Sequence, residues 1–303
     1  MIKLVLTEVI DALRGEPGAT PRPVTVAGVS TDSRTAQSGE LFFALRGPRH
    51  DGHDHVAGAL ARGAVAAVVS RSRGPELVRA GVDAARLILV EDPLAALARL
   101  AAFHRRQAPA DVIAVVGSNG KTTTKEMIGH ILGERMRGRC SPKSYNNAIG
   151  VPLTLLSTEA ADDFLVVEIG TNAPGEVAQL AELVEPDMAV ITSVGEEHLE
   201  RLGDLEGVAA EECSVLRRVR QGGFAAVNID SPFVRPHVDA CGLKLATFGL
   251  EPAADLRITR VAYEVPALRI ERPLRLPPAH GRRAQRLQRG RGDRGRAAAG
   301  VRA

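Results

Sequence analysis

The 303-residue chain is poor in cysteine, in long apolar runs and in net charge, and each scarcity removes a class of protein. Its three cysteines, Cys140, Cys213 and Cys241, are too scattered for a disulfide framework and form no Cys-x-x-Cys pair, which suits a reducing cytoplasm. No apolar run approaches the roughly 18 residues that argue for a membrane helix, so no membrane span is expected. The opening MIKLVLTEVIDAL carries Glu8 and Asp11 and has no small-residue cleavage site, so it does not read as a signal peptide. Net charge is only +3, and the basic excess is local. Residues 278–303 hold eight arginines and one acid, Asp293, a net of +7, which leaves −4 on residues 1–277. A mildly acidic body argues against nucleic acid as the partner.

What is present is ordinary globular composition, 45% apolar and 25% charged, in a chain long enough for two domains. The informative stretch is DVIAVVGSNGKTTTKE, residues 111–126. Val112 to Val116 read as a short buried strand, and Met127, Ile128, Ile131 and Leu132 fall at helical spacing beyond the glycine turn. Strand, glycine loop, Lys-Thr and helix together form a triphosphate cradle. Gly117 and Gly120 let the backbone of Gly117, Ser118, Asn119, Gly120, Lys121, Thr122 and Thr123 turn its N–H groups toward an anion at a helix N-terminus. Lys121 can reach the β- and γ-phosphates of ATP, and the Thr122 hydroxyl can ligate Mg²⁺. The general motif places a glycine five residues before Gly120, where this chain has Val115.

Residues 1–108 read as a small α/β domain and 109–277 as a second α/β unit with near-continuous apolar strands, hence a mostly parallel, doubly wound sheet. Strands are expected at Phe164–Ile169, Met188–Val194, Phe224–Ile229 and Leu243–Phe248, with helices near 54–63, 93–107, 175–184 and 205–220. Ligands of such sheets gather at the carboxyl ends of the strands, where the phosphate loop, Glu168 and His198 fall; Asn228 and Asp230 read as turn formers. A carboxylate and an imidazole beside Lys121-Thr122 are suited to an Mg²⁺–ATP enzyme. The run His50-Asp51-Gly52-His53-Asp54-His55 reads as a polar loop entering a helix, with Asp54 as a possible N-cap, in preference to a metal site. Asn146 and Asn147 could be turn formers or could hydrogen-bond a polar substrate; the residues alone leave both open.

The segments GVSTDSR, GELFFALRGPRHDGHDHV, VVGSNGKTTTKEMI, SYNNAIGVPLTLL, VVEIGTNAPGEVAQL and TSVGEEHLERLGDLEGVAAEE, spanning about residues 28 to 212, resemble the Mur ligase family in order and spacing. The family's shortened GxxGKT loop accounts for Val115. Within it, NNxIGVPxTLL resembles the members that add D-alanyl-D-alanine to UDP-N-acetylmuramoyl-tripeptide, in the cytoplasm, as a step of peptidoglycan synthesis. The resemblance implies that ATP converts the tripeptide's terminal carboxylate to an acyl phosphate, which the dipeptide amine then attacks. It further implies that Lys121, Glu168 and His198 are catalytic and that Thr122, Glu168 and His198 hold Mg²⁺. Ser30, Thr31, Ser33, Arg34, Arg46, Asp51 and His53 would hold the UDP-sugar end, with Asn146 and Asn147 near the reacting centre, in a protein that is expected to act as a monomer.

Three departures stand out. Fourteen residues after His198 the family usually carries a carbamylated lysine that ligates a second Mg²⁺; here Glu212 stands there, keeping the charge on a shorter arm, with neighbouring Glu211 or water to fill the gap. Ser193 also replaces a usual asparagine. After Leu276-Pro277 the family continues into an alanine-rich helix and a third, Rossmann-like domain, whereas this chain reads PPAHGRRAQRLQRGRGDRGRAAAGVRA. A reading-frame slip in a GC-rich gene accounts for this better than an RNA-binding Arg-Gly tail, which would lack an aromatic residue for stacking. On that reading residues 278–303 are expected to be disordered or to form a poorly packed helix, and the polypeptide to have little or no amide-forming activity. Two other classes stay in view: a catalytically inactive protein that binds UDP-muramoyl peptide or nucleotide, and an unrelated P-loop NTPase switch.

Overall fold

The computed structural model describes residues 4–21, 23–264 and 267–271; the arginine-rich segment 278–303, expected to be disordered, lies outside them. Two sheets carry the fold. In the smaller, strands β1 (Glu16–Pro17), β2 (Gly28–Ser30), β3 (Glu40–Phe43), β4 (Ala66–Ser70) and β5 (Leu87–Val90) lie in the order β1-β5-β4-β3-β2. All its pairs are parallel except β1 with β5.

The larger sheet is the mostly parallel one that the apolar runs predict. It comprises β6 (Asp111–Val116), β7 (Gly138–Cys140), β8 (Phe164–Glu168), β9 (Met188–Ile191), β10 (Phe224–Asn228), β11 (Lys244–Gly249) and β12 (Leu256–Arg257), in the order β12-β11-β10-β9-β6-β8-β7. Every pairing in it is parallel. Strands β6 and β8 sit side by side, just inside the edge strand β7, with Glu168 opposite Val115, and both are covered on their two faces, which is why their sequences are unbroken runs of apolar residues. This register brings the end of β8 beside the loop that leaves β6.

Helix α1 (Pro93–Gln107) joins the two units. Asp92 caps it by accepting from Leu94 N, and Pro93 occupies its first turn, as the boundary chemistry favours. Its buried face, Leu97, Leu100 and Ala101, belongs to one continuous core that runs from Leu6 and Val9 to Val151, Leu155 and Val177. Its last turn carries Arg105, only 2% exposed, which donates to the carbonyls of Val184 and Glu185 and to Asp187 Oδ2, each at 2.8 Å. A buried guanidinium is tolerated only when its donors are met. Replacing Arg105 with methionine orphans those acceptors and is expected to destabilise the protein by about 3 kcal/mol, read as a lower urea midpoint at unchanged m-value.

The helix that follows the phosphate loop, α2 (Lys121–Gly133), departs from its sequence pattern. Met127 and Ile131 are exposed, at 57% and 63%, whereas Lys125 is fully buried. Ile128 and Leu132 pack against the β6–β8 face as their spacing predicts. The loop at 50–55 also differs in detail: Asp51, not Asp54, caps the short turn Gly52–His55, by accepting from His53 N. The predicted turn at Asn228 and Asp230 is present, with Asp230 N donating to Asn228 Oδ1 at 2.8 Å.

Candidate functional site

The loop from Gly117 to Gly120 is shaped by residues at φ angles that favour glycine, +125° and +82°. A Cβ on Gly117 would lie 2.3 Å from Thr192 Oγ1 and 2.8 Å from Ser193 O, so that position admits no side chain. The strand end of β9 buttresses the loop. Ser118 N donates to Ser193 O at 2.9 Å, Asn119 N to Ser193 Oγ at 3.0 Å, and Thr192 Oγ1 to Asn119 O at 2.6 Å. Ser193, the residue in place of the usual asparagine, is thus part of the scaffold that fixes the loop.

Thr122 and Glu168 meet. The Thr122 hydroxyl donates to Glu168 Oε2 at 3.0 Å, and Asn146 Nδ2 donates to Glu168 Oε1 at 3.0 Å. Glu168 is 1% exposed at the end of β8, and its own N–H donates to Ser141 Oγ at 2.9 Å. Asn147 instead serves the turn: its side-chain oxygen accepts from the N–H groups of Ile149 and Gly150. The adjacent amides therefore divide: Asn147 serves the local backbone, as the turn reading expects, and Asn146 meets Glu168 at the site.

Lys121 donates to Gly117 O at 2.5 Å and Ser118 O at 3.3 Å, and lies 3.6 Å from Glu197 Oε1. The same Glu197 oxygen is 3.5 Å from His198 Nε2, while Glu197 Oε2 is buried with no hydrogen-bond partner among the described residues. Glu197 was not anticipated; two acids ahead of His198 in GEEH were the available sign. His198 has φ +50° at the start of a short turn of helix, Leu199–Leu202. Lys121, Asn146, Asn147, Glu197 and His198 line one cleft of about 380 Å³.

Glu212 lies on α3 (Leu205–Cys213) and is completely buried. Its Oε2 accepts from Gly117 N at 2.8 Å, and its Oε1 has no partner among the described residues. Burial, reinforced by the neighbouring carboxylates of Glu197 and Glu211 against the pull of Lys121 and the Gly117 amide, raises its pKa to about 7. The alternative in which Glu211 fills the gap there fails on geometry. Both Glu211 oxygens cap the helix Glu176–Val184, accepting from Gly175 N, Val177 N and the Thr171 hydroxyl.

The residues fit one Mg²⁺ better than two. A hydroxyl and a carboxylate 3.0 Å apart beside a phosphate loop match an ion that keeps several waters and takes its remaining oxygens from phosphates. Among the described residues no group of three His, Cys, Asp or Glu side chains is gathered to hold a metal. Glu212 offers a single unpartnered oxygen on a carboxyl whose ionisation is disfavoured, so no second ion enters the chemistry below.

In the smaller unit the expected sugar-binding residues separate. Arg46 and His53 line a second cleft of about 270 Å³, which shares Leu94 and Ile149 with the first and so adjoins it. His53 is 2% exposed with both ring nitrogens engaged: Ser70 N donates to Nε2 at 2.9 Å, and Nδ1 faces Asp51 Oδ1 at 2.5 Å. Its role is to hold the loop, with no nitrogen left for a ligand. Asp51 also takes Arg73 at 2.8 Å. Ser30, Thr31, Ser33 and Arg34 line neither of these clefts. Ser30 Oγ accepts from Asp32 N, and the exposed Arg34 guanidinium pairs with Asp32, holding that carboxyl down at about 2.

Comparison with known proteins follows the same outline. The family description "Mur ligase middle domain" matches residues 115–270, and "Mur ligase family, catalytic domain" matches residues 25–105. The UDP-N-acetylmuramoyl-tripeptide--D-alanyl-D-alanine ligase of Bacillus subtilis (strain 168) is 34% identical over 263 residues, 86% of this chain and 56% of that protein. The enzyme of the same description from Escherichia coli (strain K12) is 38% identical over 232 residues, 76% of this chain and 49% of that one. A crystal structure of MurF from Acinetobacter baumannii superposes with a TM-score of 0.80 at 29% identity, covering 90% of this chain and 58% of that one. MurF ligase from Thermotoga maritima in complex with ADP gives a TM-score of 0.72 at 29% identity, over 82% and 56%. The chain spans about half the length of the curated relatives it matches. No helix among the described residues is long and apolar enough to cross a membrane.

Proposed function

The chain belongs to the Mur ligase family, and we propose that it carries the ATP- and UDP-substrate-binding machinery of a ligase that adds D-alanyl-D-alanine to UDP-N-acetylmuramoyl-tripeptide. The observation that carries this reading is the meeting of Thr122, Glu168 and Asn146 beside the phosphate loop. One cluster joins the element suited to a nucleotide to the element suited to the peptide substrate. Similarity to enzymes of that description supports the choice of substrates, as does the continuity of the two clefts through Leu94 and Ile149. Residues 1–108 would take the UDP-sugar and 109–277 the ATP, in a cytoplasmic monomer supplying peptidoglycan for cell shape and division.

A free carboxylate is a poor electrophile, and phosphorylation by ATP supplies a leaving group. The N–H groups of Gly120, Lys121 and Thr122 and the helix dipole would cradle the phosphates, since those of Gly117, Ser118 and Asn119, expected to join them, are taken by Glu212 and Ser193. The Lys121 ammonium, which now rests on Gly117 O and Ser118 O, would turn onto the transferring phosphoryl group and offset its charge. Thr122 and Glu168 would hold Mg²⁺, whose contribution is to neutralise phosphate oxygens. Asn146 keeps Glu168 oriented. His198 and Glu197 flank the cleft where the tripeptide carboxylate would lie.

Glu212 favours a second reading, in which the chain binds these ligands without joining anything. Its carboxyl occupies the first amide of the phosphate loop, and when ionised it sets a negative charge under the triphosphate. Measuring ADP release from ATP with UDP-N-acetylmuramoyl-tripeptide, with and without D-alanyl-D-alanine, separates these readings. Release that needs both substrates is expected of the ligase. Binding of both ligands with no release would establish the second reading, and release indifferent to either substrate would overturn both.

A further inference from the structure

Lys125 lies outside the chemistry described so far, yet it is the one buried residue of α2. Its ammonium donates to Ser141 O at 2.8 Å and Lys143 O at 2.5 Å. It also lies 3.0 Å from Glu126 Oε1 and 3.7 Å from Glu168 Oε2. An ammonium has three N–H donors, so two carbonyls and a carboxylate saturate it. Burying a lysine completely is unfavourable unless its charge is met in this way. A helix with a free choice would turn Met127 or Ile131 inward, and here both face solvent while the lysine is enclosed.

The partners show what the burial achieves. Ser141 and Lys143 begin the segment that carries Asn146 to Glu168, and Lys143 holds an unfavourable φ of +49° for a non-glycine residue. The carbonyl that this conformation presents is one that Lys125 binds. Thr122 and Lys125 are three residues apart, so both project from one face of α2, and both reach Glu168 Oε2. Ser141 closes the circle, because its hydroxyl accepts from Glu168 N.

We infer that Lys125 is a positioning residue that locks the Ser141–Asn147 segment and the Glu168 carboxylate into a single metal-ready arrangement. It lines neither of the two clefts. It couples the order of the peptide-side loop to the Mg²⁺–nucleotide site: if the ammonium is removed, the 141–147 segment loses two anchors and Glu168 loses its nearest cation. This rests on the nucleotide reading above.

The test uses the whole chain with Lys125→Met and Lys125→Gln, titrated with ADP in EDTA and with ADP in saturating Mg²⁺, and followed by hydrogen exchange. In the wild type, Mg²⁺ should strengthen ADP binding. Each variant should bind ADP in EDTA within about twofold of wild type while losing about tenfold or more of the strengthening by Mg²⁺, the size expected for a residue that orients a metal ligand. Glutamine, which keeps donors for the carbonyls, should recover part of the loss. Exchange should rise in residues 141–149 and stay unchanged in β9 and β10. An unaltered Mg²⁺ effect, an equal loss with and without Mg²⁺, or unfolding of both variants would overturn the inference while leaving the ligase reading intact. If wild-type protein shows no ADP binding, the nucleotide reading itself fails, and this inference with it.

Discussion

Replacing Glu168 with glutamine should abolish the strengthening of ADP binding by Mg²⁺ and lower whatever ADP release the chain sustains with both substrates by about a thousandfold, within the range seen when one electrostatic contact to a transition state is removed. The side chain is 1% exposed, and one oxygen meets Thr122 while the other meets Asn146. Glutamine preserves size and one acceptor, so the loop and strand should stay in place; what disappears is the negative charge. Thr122 would keep a hydrogen bond and Asn146 would face an amide, so the carboxyl end of β8 would offer a cation a neutral site. ADP binding in EDTA, which depends on loop amides and Lys121, should change little. The two titrations and the turnover assay therefore give a split pattern. A variant that keeps full Mg²⁺ dependence would remove Glu168 from the site and, with it, the chemistry proposed for the loop.

Much of this arrangement could be read from the chain because its signals are local. The parallel sheet announced itself in apolar runs such as Val112–Val116 and Leu165–Val167, which are buried on both faces. Glu168 drew notice by closing such a run. Strand β7, Gly138–Cys140, was not foreseen, since Gly-Arg-Cys has neither alternation nor an apolar run and is held at the sheet edge by β8. Lys125 escaped because its carbonyl partners lie 16 and 18 residues away in a turn with no polar motif. Glu197 escaped because only the fold sets it against Lys121. His53 looked like a ligand-facing histidine, and no sequence pattern could reveal that Ser70 N, across β4, occupies its second nitrogen. Tertiary contacts that use backbone groups leave no trace in side-chain spacing.

Replacing Glu212 with glutamine should stabilise the protein at alkaline pH and change it far less at acid pH. Burial raises the carboxyl from its ordinary 4.5 to about 7, so between those values the folded chain holds a proton that the unfolded chain has released. The unfolded state then binds fewer protons, and stability from this group falls as pH rises, until the folded carboxyl also ionises near 7. The contribution is fully present below about pH 4.5 and gone above about pH 7, a total of about 3 kcal/mol for a shift of this size. Glutamine carries no such proton and keeps an acceptor for Gly117 N, whose bond to Glu212 is 2.8 Å. Urea unfolding of both proteins at pH 5 and pH 8 measures the difference directly. The gap between variant and wild type should widen in the variant's favour by most of that total from the lower pH to the higher, pH 5 lying just above the unfolded value. A gap that stays constant would mean that the wild-type carboxyl ionises over the same pH range folded as unfolded, so that burial does not hold its proton.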